Sequence, residues 1–165
     1  MKCLDLCSGL GGFSEAFVNA AGWEVMRIEN NPLLEDVLHT EIIDIKEFRD
    51  NLYDMIQRGY RPDFVDLVVF SPPCTEFSLG FHSPRSIASR EGRLEDYQPD
   101  LSILRAGLEI IEMLQPTYYI IENVRGACRY FNPILGRHKL SIGAYYFWGR
   151  FPAIDRKSTR LNSSH

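Results

Sequence analysis

No run of eighteen apolar residues occurs in this 165-residue chain, and Asp5 breaks the first apolar stretch before a signal-peptide core could form. The sequence therefore reads as unsecreted and without a membrane span, with the cytoplasm as its expected location. Cysteine is sparse. Cys3, Cys7, Cys74 and Cys128 form no Cys-x-x-Cys pair and have no spaced histidine partners, which argues against a disulfide framework and against a structural metal site. Lysine and arginine form no block and the formal net charge is −4, so composition alone points to no nucleic-acid partner, although a local basic cleft is compatible with it. Internal repeats are absent too. What is present is 45% hydrophobic content, enough at this length for one domain with its own core.

Residues 155–165, DRKSTRLNSSH, have no apolar period and resemble the translation of a sequencing adapter. They are set aside from the fold. This leaves 1–154 as the domain, with an irregular tail and an interrupted reading frame as the expectations.

Within 1–154, short β-branched runs alternate with amphipathic stretches, the pattern of an α/β fold with a mostly parallel sheet and helices on both faces. Strands are predicted at Lys2–Cys7, Trp23–Ile28, Glu41–Ile43, Asp66–Phe70 and Tyr118–Glu122. The predicted helices are Phe13–Ala21, Pro32–His39, Ile45–Arg58 and Asp100–Leu114, the last with a stripe of Leu101, Leu104, Leu108, Ile111 and Leu114 that stops before Pro116. Leu140–Phe151 has no helical period and reads as one or two antiparallel strands. Gly80–Pro99 is polar and too long for an ordinary connection, so a lid, a binding loop or disorder is expected there.

In an open parallel sheet, ligands bind at the carboxyl ends of the strands, and four of these ends are unusual. DLCSGLGGF (5–13) follows the first strand, its glycines permitting a tight turn and close approach to a ligand. Glu29 follows the second strand and Asp44 the third, where carboxylates meet ribose hydroxyls in nucleotide-binding sheets. Taken together they point to an adenosine-type ligand. The fourth strand ends in FSPPCTEFS (70–78). Proline fixes its own φ and keeps its predecessor extended, so Pro72-Pro73 mounts Cys74 stiffly beyond the sheet edge. A thiolate is a strong nucleophile, and a rigid mount saves the entropy of aiming it. Cys3, Cys7 and Cys128, without such a mount, read as small buried hydrophobes. The fifth strand ends in Glu122-Asn123-Val124, setting a carboxylate beside the thiol. A dinucleotide-dependent oxidoreductase would share the glycine turn and Glu29 but has no use for Pro-Pro-Cys or Glu-Asn-Val.

In order and spacing, DLCSGLGGFSEAF (5–17), Glu29, Asp44, VVFSPPCTEFS (68–78) and IIENVRG (120–126) resemble the motifs of the DNA (cytosine-5) methyltransferases. The resemblance covers about residues 3–126. It implies a Rossmann-like fold that uses S-adenosyl-L-methionine, incomplete at its C-terminus, acting on double-stranded DNA with the target cytosine flipped out. By the same resemblance Cys74 attacks ring carbon 6 and Glu122 holds or protonates ring nitrogen 3. The cofactor lies on Asp5, Cys7, Gly9, Leu10, Gly12, Glu29, Asn30, Asp44, Ile45 and Pro73. The base meets Pro73, Phe77, Ser78, Asn123 and Val124, no metal is involved, and a restriction endonuclease in a prokaryotic or phage setting is the implied partner system. The family's glutamine–arginine signature has no clean counterpart; Arg137, Lys139 and Arg150 are the candidates. No consequence is legible in Thr75-Glu76. Action on RNA, or a non-catalytic regulatory role with the same fold, stays open at this point.

Overall fold

In a computed structural model, which describes residues 1–78, 80 and 82–152, the alternating runs form a single seven-stranded sheet of order β3-β2-β1-β4-β5-β7-β6. Its strands are β1 (Lys2–Leu6), β2 (Glu24–Glu29), β3 (Thr40–Ile42), β4 (Leu67–Phe70), β5 (Tyr118–Val124), β6 (Leu140–Ile142) and β7 (Tyr145–Arg150). The first five run parallel, and β7 runs antiparallel to both β5 and β6. From β1 the chain moves outward through β2 and β3, then returns to place β4 on the other side of β1. That reversal opens a crevice at the carboxyl ends of β1 and β4. The adapter-like tail lies outside the described residues. Among them, no helix is long and apolar enough to cross a membrane.

The two sheet faces are covered unequally. On one, Leu4, Leu6, Ile28, Val68, Phe70 and Ile121 pack under α2 (Ile45–Gln57), α4 (Ser102–Leu114) and α5 (Cys128–Leu135). On the other, Cys3, Val25, Leu67 and Val69 meet Phe13, Phe17, Val18 and Trp23 around α1 (Glu15–Val18). β4 is buried along its whole length, as a central parallel strand must be. Burying each of its side chains contributes about 2 kcal/mol. α4 lies so close above it that a Cβ at Gly107 would fall inside the Phe70 ring.

Several expectations need correction. The helix foreseen at Phe13–Ala21 is only the four residues of α1: the Asn19 side-chain amide bonds back to the Glu15 carbonyl, 3.1 Å, and Gly22 turns the chain with φ +81°. Asn and Gly there end a helix rather than extend it. Pro32–His39 keeps a 3-10 turn at Pro32–Leu34, capped by Asn31; Leu33 and Leu38 are exposed, so no buried face supports more. The polar segment 80–99 contains a helix, α3 (Pro84–Arg90), capped by Ser83 with Pro84 in its first turn, a start signal present in the sequence. α5 was not foreseen because Pro133 stands inside it. In α4 the buried set is Leu104, Ala106, Gly107, Ile110 and Ile111, with Leu101, Leu108 and Leu114 only half-buried. The hairpin β6–β7 agrees with the antiparallel reading of its segment.

Candidate active site

Three backbone positions distort the chain where β1 ends: Cys7 (φ 57°), Gly9 (φ 54°) and Gly11 (φ 80°). A left-handed cysteine is uncommon and marks a constrained loop. Glu29 supplies part of the constraint. One of its carboxylate oxygens accepts the Gly9 N–H at 2.8 Å, and the other accepts those of Asn30 and Asn31 at 3.0 Å each. The carboxylate thereby straps the β1 loop to the β2 loop and faces a narrow cavity of about 170 Å³. Cys7, Gly9, Glu29, Asn30, Asp44, Ile45, Ser71 and Pro73 are among its lining residues. Asp44 also caps α2, accepting the Lys46 N–H at 2.8 Å. The lining thus combines acceptors for hydroxyls with isoleucine walls, an arrangement that fits a nucleoside. A larger depression of about 530 Å³ between α2 and α4 lacks such convergence, since its Arg49 is already paired with Asp50 and Glu109.

Asp5, Leu10 and Gly12 sit differently from the other residues assigned to a cofactor. Leu10 and Gly12 lie on the exposed outer side of the loop. Asp5 is fully buried behind it, and both its oxygens lack a hydrogen-bond partner. Burial pushes its carboxyl up to about 6; the neighbouring Ser14 and then the Arg27 guanidinium draw it down by less, and the Glu29 carboxylate adds to the rise. The Cys7 thiol is pushed up to about 12, by burial first and then by Glu29, Asp5 and Asp44. It is a neutral wall of the cavity, half-buried like Cys128, whereas Cys3 alone is a fully buried cysteine.

Cys74 is exposed. Ser71 extends the ladder, its N–H reaching the Leu6 carbonyl at 3.2 Å, and the carbonyl of Cys74 then accepts the N–H groups of Phe77 and Ser78 at 2.9 and 2.8 Å. The thiol therefore begins a tight turn. Asn123 secures that turn to β5: its side-chain amide donates to the Pro72 carbonyl at 2.9 Å while its oxygen accepts the Val124 N–H at 2.9 Å, and it is 1% exposed. Glu122, its neighbour, follows the pairing of Ile121 with Phe70, so it stands at the level of Ser71. Burial raises the pKa of this half-buried carboxyl, and the Ser71 side chain pulls the other way. Cys74 and Glu122 thus come from the carboxyl ends of two adjacent parallel strands.

Other residues assigned to the base are anchors here. Phe77 is buried, with its ring against Phe131 (5.1 Å between centroids) and Tyr130 (5.8 Å). Ser78 closes a local turn through Gly80 and Ser83, and Val124 packs against the core. Arg150 is at the wrong end of the molecule: β7 runs antiparallel, and its guanidinium reaches the carbonyls of Pro116 and Thr117, before β5 begins. Lys139 lies over the Phe151 ring, and Arg137 is an exposed residue ahead of β6. Neither follows a carboxyl strand end. Three contributors escaped sequence reasoning: Ser71 beside Glu122, Arg27 beneath the glycine loop, and Tyr97, whose hydroxyl reaches the Glu76 carboxylate at 2.5 Å. Arg27 had a signal, since period-two alternation in β2 puts it on the buried face with Val25.

A family model of C-5 cytosine-specific DNA methylases matches residues 1–132. Type II methyltransferase M1.HphI of Haemophilus parahaemolyticus is 27% identical over 125 residues, covering 73% of this chain and 32% of that enzyme. A frog virus 3 protein named as a DNA (cytosine-5)-methyltransferase is 28% identical over 165 residues, covering 98% of this chain and 69% of its own length. Among solved structures, a prophage-encoded E. coli protein named as a DNA modification methyltransferase superposes with a TM-score of 0.51 at 20% identity. The match covers 99% of this chain and 49% of that one, and it supports the Rossmann-like fold. The chain spans about a third of the Haemophilus enzyme's length.

Proposed function

Because the chain belongs to the C-5 cytosine-specific DNA methylase family, we propose that it carries the catalytic machinery for methylating carbon 5 of a cytosine flipped out of DNA, with S-adenosyl-L-methionine as donor. The observation that carries this reading is the Asn123–Pro72 hydrogen bond of 2.9 Å, which fastens the Cys74 mount to the strand that bears Glu122. The bound cofactor supplies the methyl group. Glu29 and Asp44 would accept from its hydroxyl and amine donors, Cys7 and Ile45 would wall it in, and Pro73 would line the pocket between it and the base.

Cytosine resists attack at carbon 6 unless nitrogen 3 is protonated or firmly hydrogen-bonded. Glu122 meets that need, because burial keeps its proton available at higher pH than an ordinary glutamate allows. The Cys74 thiolate forms a bond from Sγ to carbon 6 while nitrogen 3 takes the Glu122 proton, and the electron pair moves toward carbon 5, which becomes the methyl acceptor. Once carbon 5 carries the methyl group, solvent water takes the proton from carbon 5, and the C–H electron pair restores the 5,6 double bond as the carbon 6–Sγ bond breaks to release the thiolate. Nitrogen 3 returns its proton to Glu122. A restriction–modification setting with an endonuclease partner belongs to the same proposal, on the strength of the Haemophilus relative's name.

The test is covalent trapping on duplex DNA containing 5-fluorocytosine, which has no carbon-5 proton to lose. The chain should form an adduct stable to denaturation, Cys74→Ser should form none, and Cys128→Ser should match the parent. An undiminished adduct with Cys74→Ser removes Cys74 from the chemistry. Cofactor binding without any adduct favours a regulatory module, and adducts on RNA alone change the substrate.

A further inference from the structure

Arg27 takes no part in the chemistry above, yet its guanidinium is 2% exposed, in the middle of β2 and opposite the buried Asp5 of β1. A buried cation carries a large desolvation cost, so its bonds should reveal a task. Four were found. Nε donates to the Ser14 hydroxyl at 2.9 Å, Nη2 to the Gly11 carbonyl at 3.1 Å and to the Glu15 carboxylate at 2.9 Å, and Nη1 to the Leu38 carbonyl at 2.9 Å. Three of the four acceptors belong to the glycine-rich loop and the turn of helix that follows it. The fourth belongs to the loop before β3.

We propose that Arg27 is a positioning residue for the glycine-rich loop: its planar fork, seated beneath the loop, fixes the backbone of residues 9–14 in the shape that receives the cofactor. The proposal rests on the cofactor reading given above. Two glycines make the case more specific. A Cβ at Gly11 would fall inside the guanidinium, whereas the space beside Gly9 is open and Gly9 lines the cavity. Gly11 is therefore small for the arginine, and Gly9 is small for whatever enters the cleft. Two residues further along β2, Glu29 takes the Gly9 N–H. One strand thus holds the loop twice, by a carbonyl from beneath and by an amide from the side. Lysine cannot replace the arginine, because a single ammonium lacks the separated donors needed to reach Ser14, Gly11 and Leu38 at once.

Two readouts on the full chain test this: backbone amide hydrogen exchange, and titration with S-adenosylhomocysteine. In Arg27→Lys, which keeps charge and most of the volume, exchange at residues 9–14 should accelerate about tenfold or more with α2 and α4 unchanged, and the ligand Kd should rise by about tenfold. Arg27→Met should behave the same way. Glu15→Gln, which leaves the other three bonds intact, should stay within about twofold of the parent in both readouts. The proposal is overturned if a folded Arg27→Lys chain exchanges its loop at the parental rate, if the loop loosens without loss of ligand affinity, or if both Arg27 variants unfold globally. A parent chain that fails to bind the ligand refutes the cofactor reading instead, and loop exchange still decides the role of Arg27.

Discussion

The two halves of the crevice are held by different forces. At the ends of β1 and β2 the backbone is fixed by charged side chains: Glu29 takes three amides, and Arg27 takes two carbonyls and a hydroxyl. At the ends of β4 and β5 the loop bearing Cys74 is fixed mainly by rings. Phe77 stands on Phe131, which stands on Trp148 (5.2 Å between centroids), with the buried amide of Asn123 and the Tyr97 hydroxyl as polar fastenings. A loop that must accept hydroxyls and amines needs acceptors already in place. A nucleophile that must point at one atom needs a stiff support and few competing dipoles. The polar half should therefore respond to pH, and the aromatic half to lost volume.

Phe77→Ala attacks the aromatic half directly and has the largest expected effect. Removing a fully packed ring costs about 3–5 kcal/mol, and here it also removes the base of the Cys74 turn. Urea unfolding should show that loss, and trapping on 5-fluorocytosine DNA should fall by orders of magnitude in the folded fraction. S-adenosylhomocysteine affinity, which depends on the other half, should survive at low temperature. An equal loss of both activities would erase the distinction between the halves.

The polar half is tested by Asp5→Asn. The folded pKa of Asp5 is raised to about 6, above its ordinary 3.8, so the native state holds the proton more tightly than the unfolded chain does. Its contribution is fully present below the unfolded pKa and is lost as pH rises through about 6. Ionising Asp5 costs up to about 3 kcal/mol of stability. The amide variant escapes that cost, so its stability relative to the parent should increase by about 1 kcal/mol per pH unit between about pH 4 and pH 6 and level off above about pH 6.5. Urea melts at several pH values measure it; a pH-independent difference would show that burial does not hold the proton.

This contrast also explains what could be read beforehand. The five parallel strands, α2, α4 and the motifs at four strand ends were legible, because β-branched runs, helical periods and a Pro-Pro-Cys are local signals. α1 shrank because Asn19 and Gly22 compete with a weak apolar face, and α5 formed despite Pro133 because Phe131 fills a tertiary slot against Phe77 and Trp148. The burial of Phe77 against Phe131 is not legible in its motif, because motif position says nothing about which way a ring points. The task of Arg27 is hidden for a different reason: alternation places it inside, but only the folded loop supplies its partners.

The smallest effect should come from Tyr97→Phe. The Tyr97 hydroxyl reaches both the carboxylate and the carbonyl of Glu76, at 2.5 and 3.0 Å, and so ties the segment after α3 to the turn two residues beyond Cys74. The Tyr97 ring stays packed on Tyr130 in either variant (6.4 Å between centroids), so only the polar tie is lost, at a cost of about 1–2 kcal/mol. The melting temperature should fall by no more than about 2–6 °C. The rate of adduct formation on 5-fluorocytosine DNA should drop about three- to tenfold as the turn samples unproductive positions. Cofactor affinity should not move, since no bond of the glycine loop passes through Tyr97. Glu76→Gln keeps an acceptor for the hydroxyl and should fall between Tyr97→Phe and the parent. If instead cofactor affinity weakens in step with the adduct rate, the two halves of the crevice share a support that runs through segment 80–99.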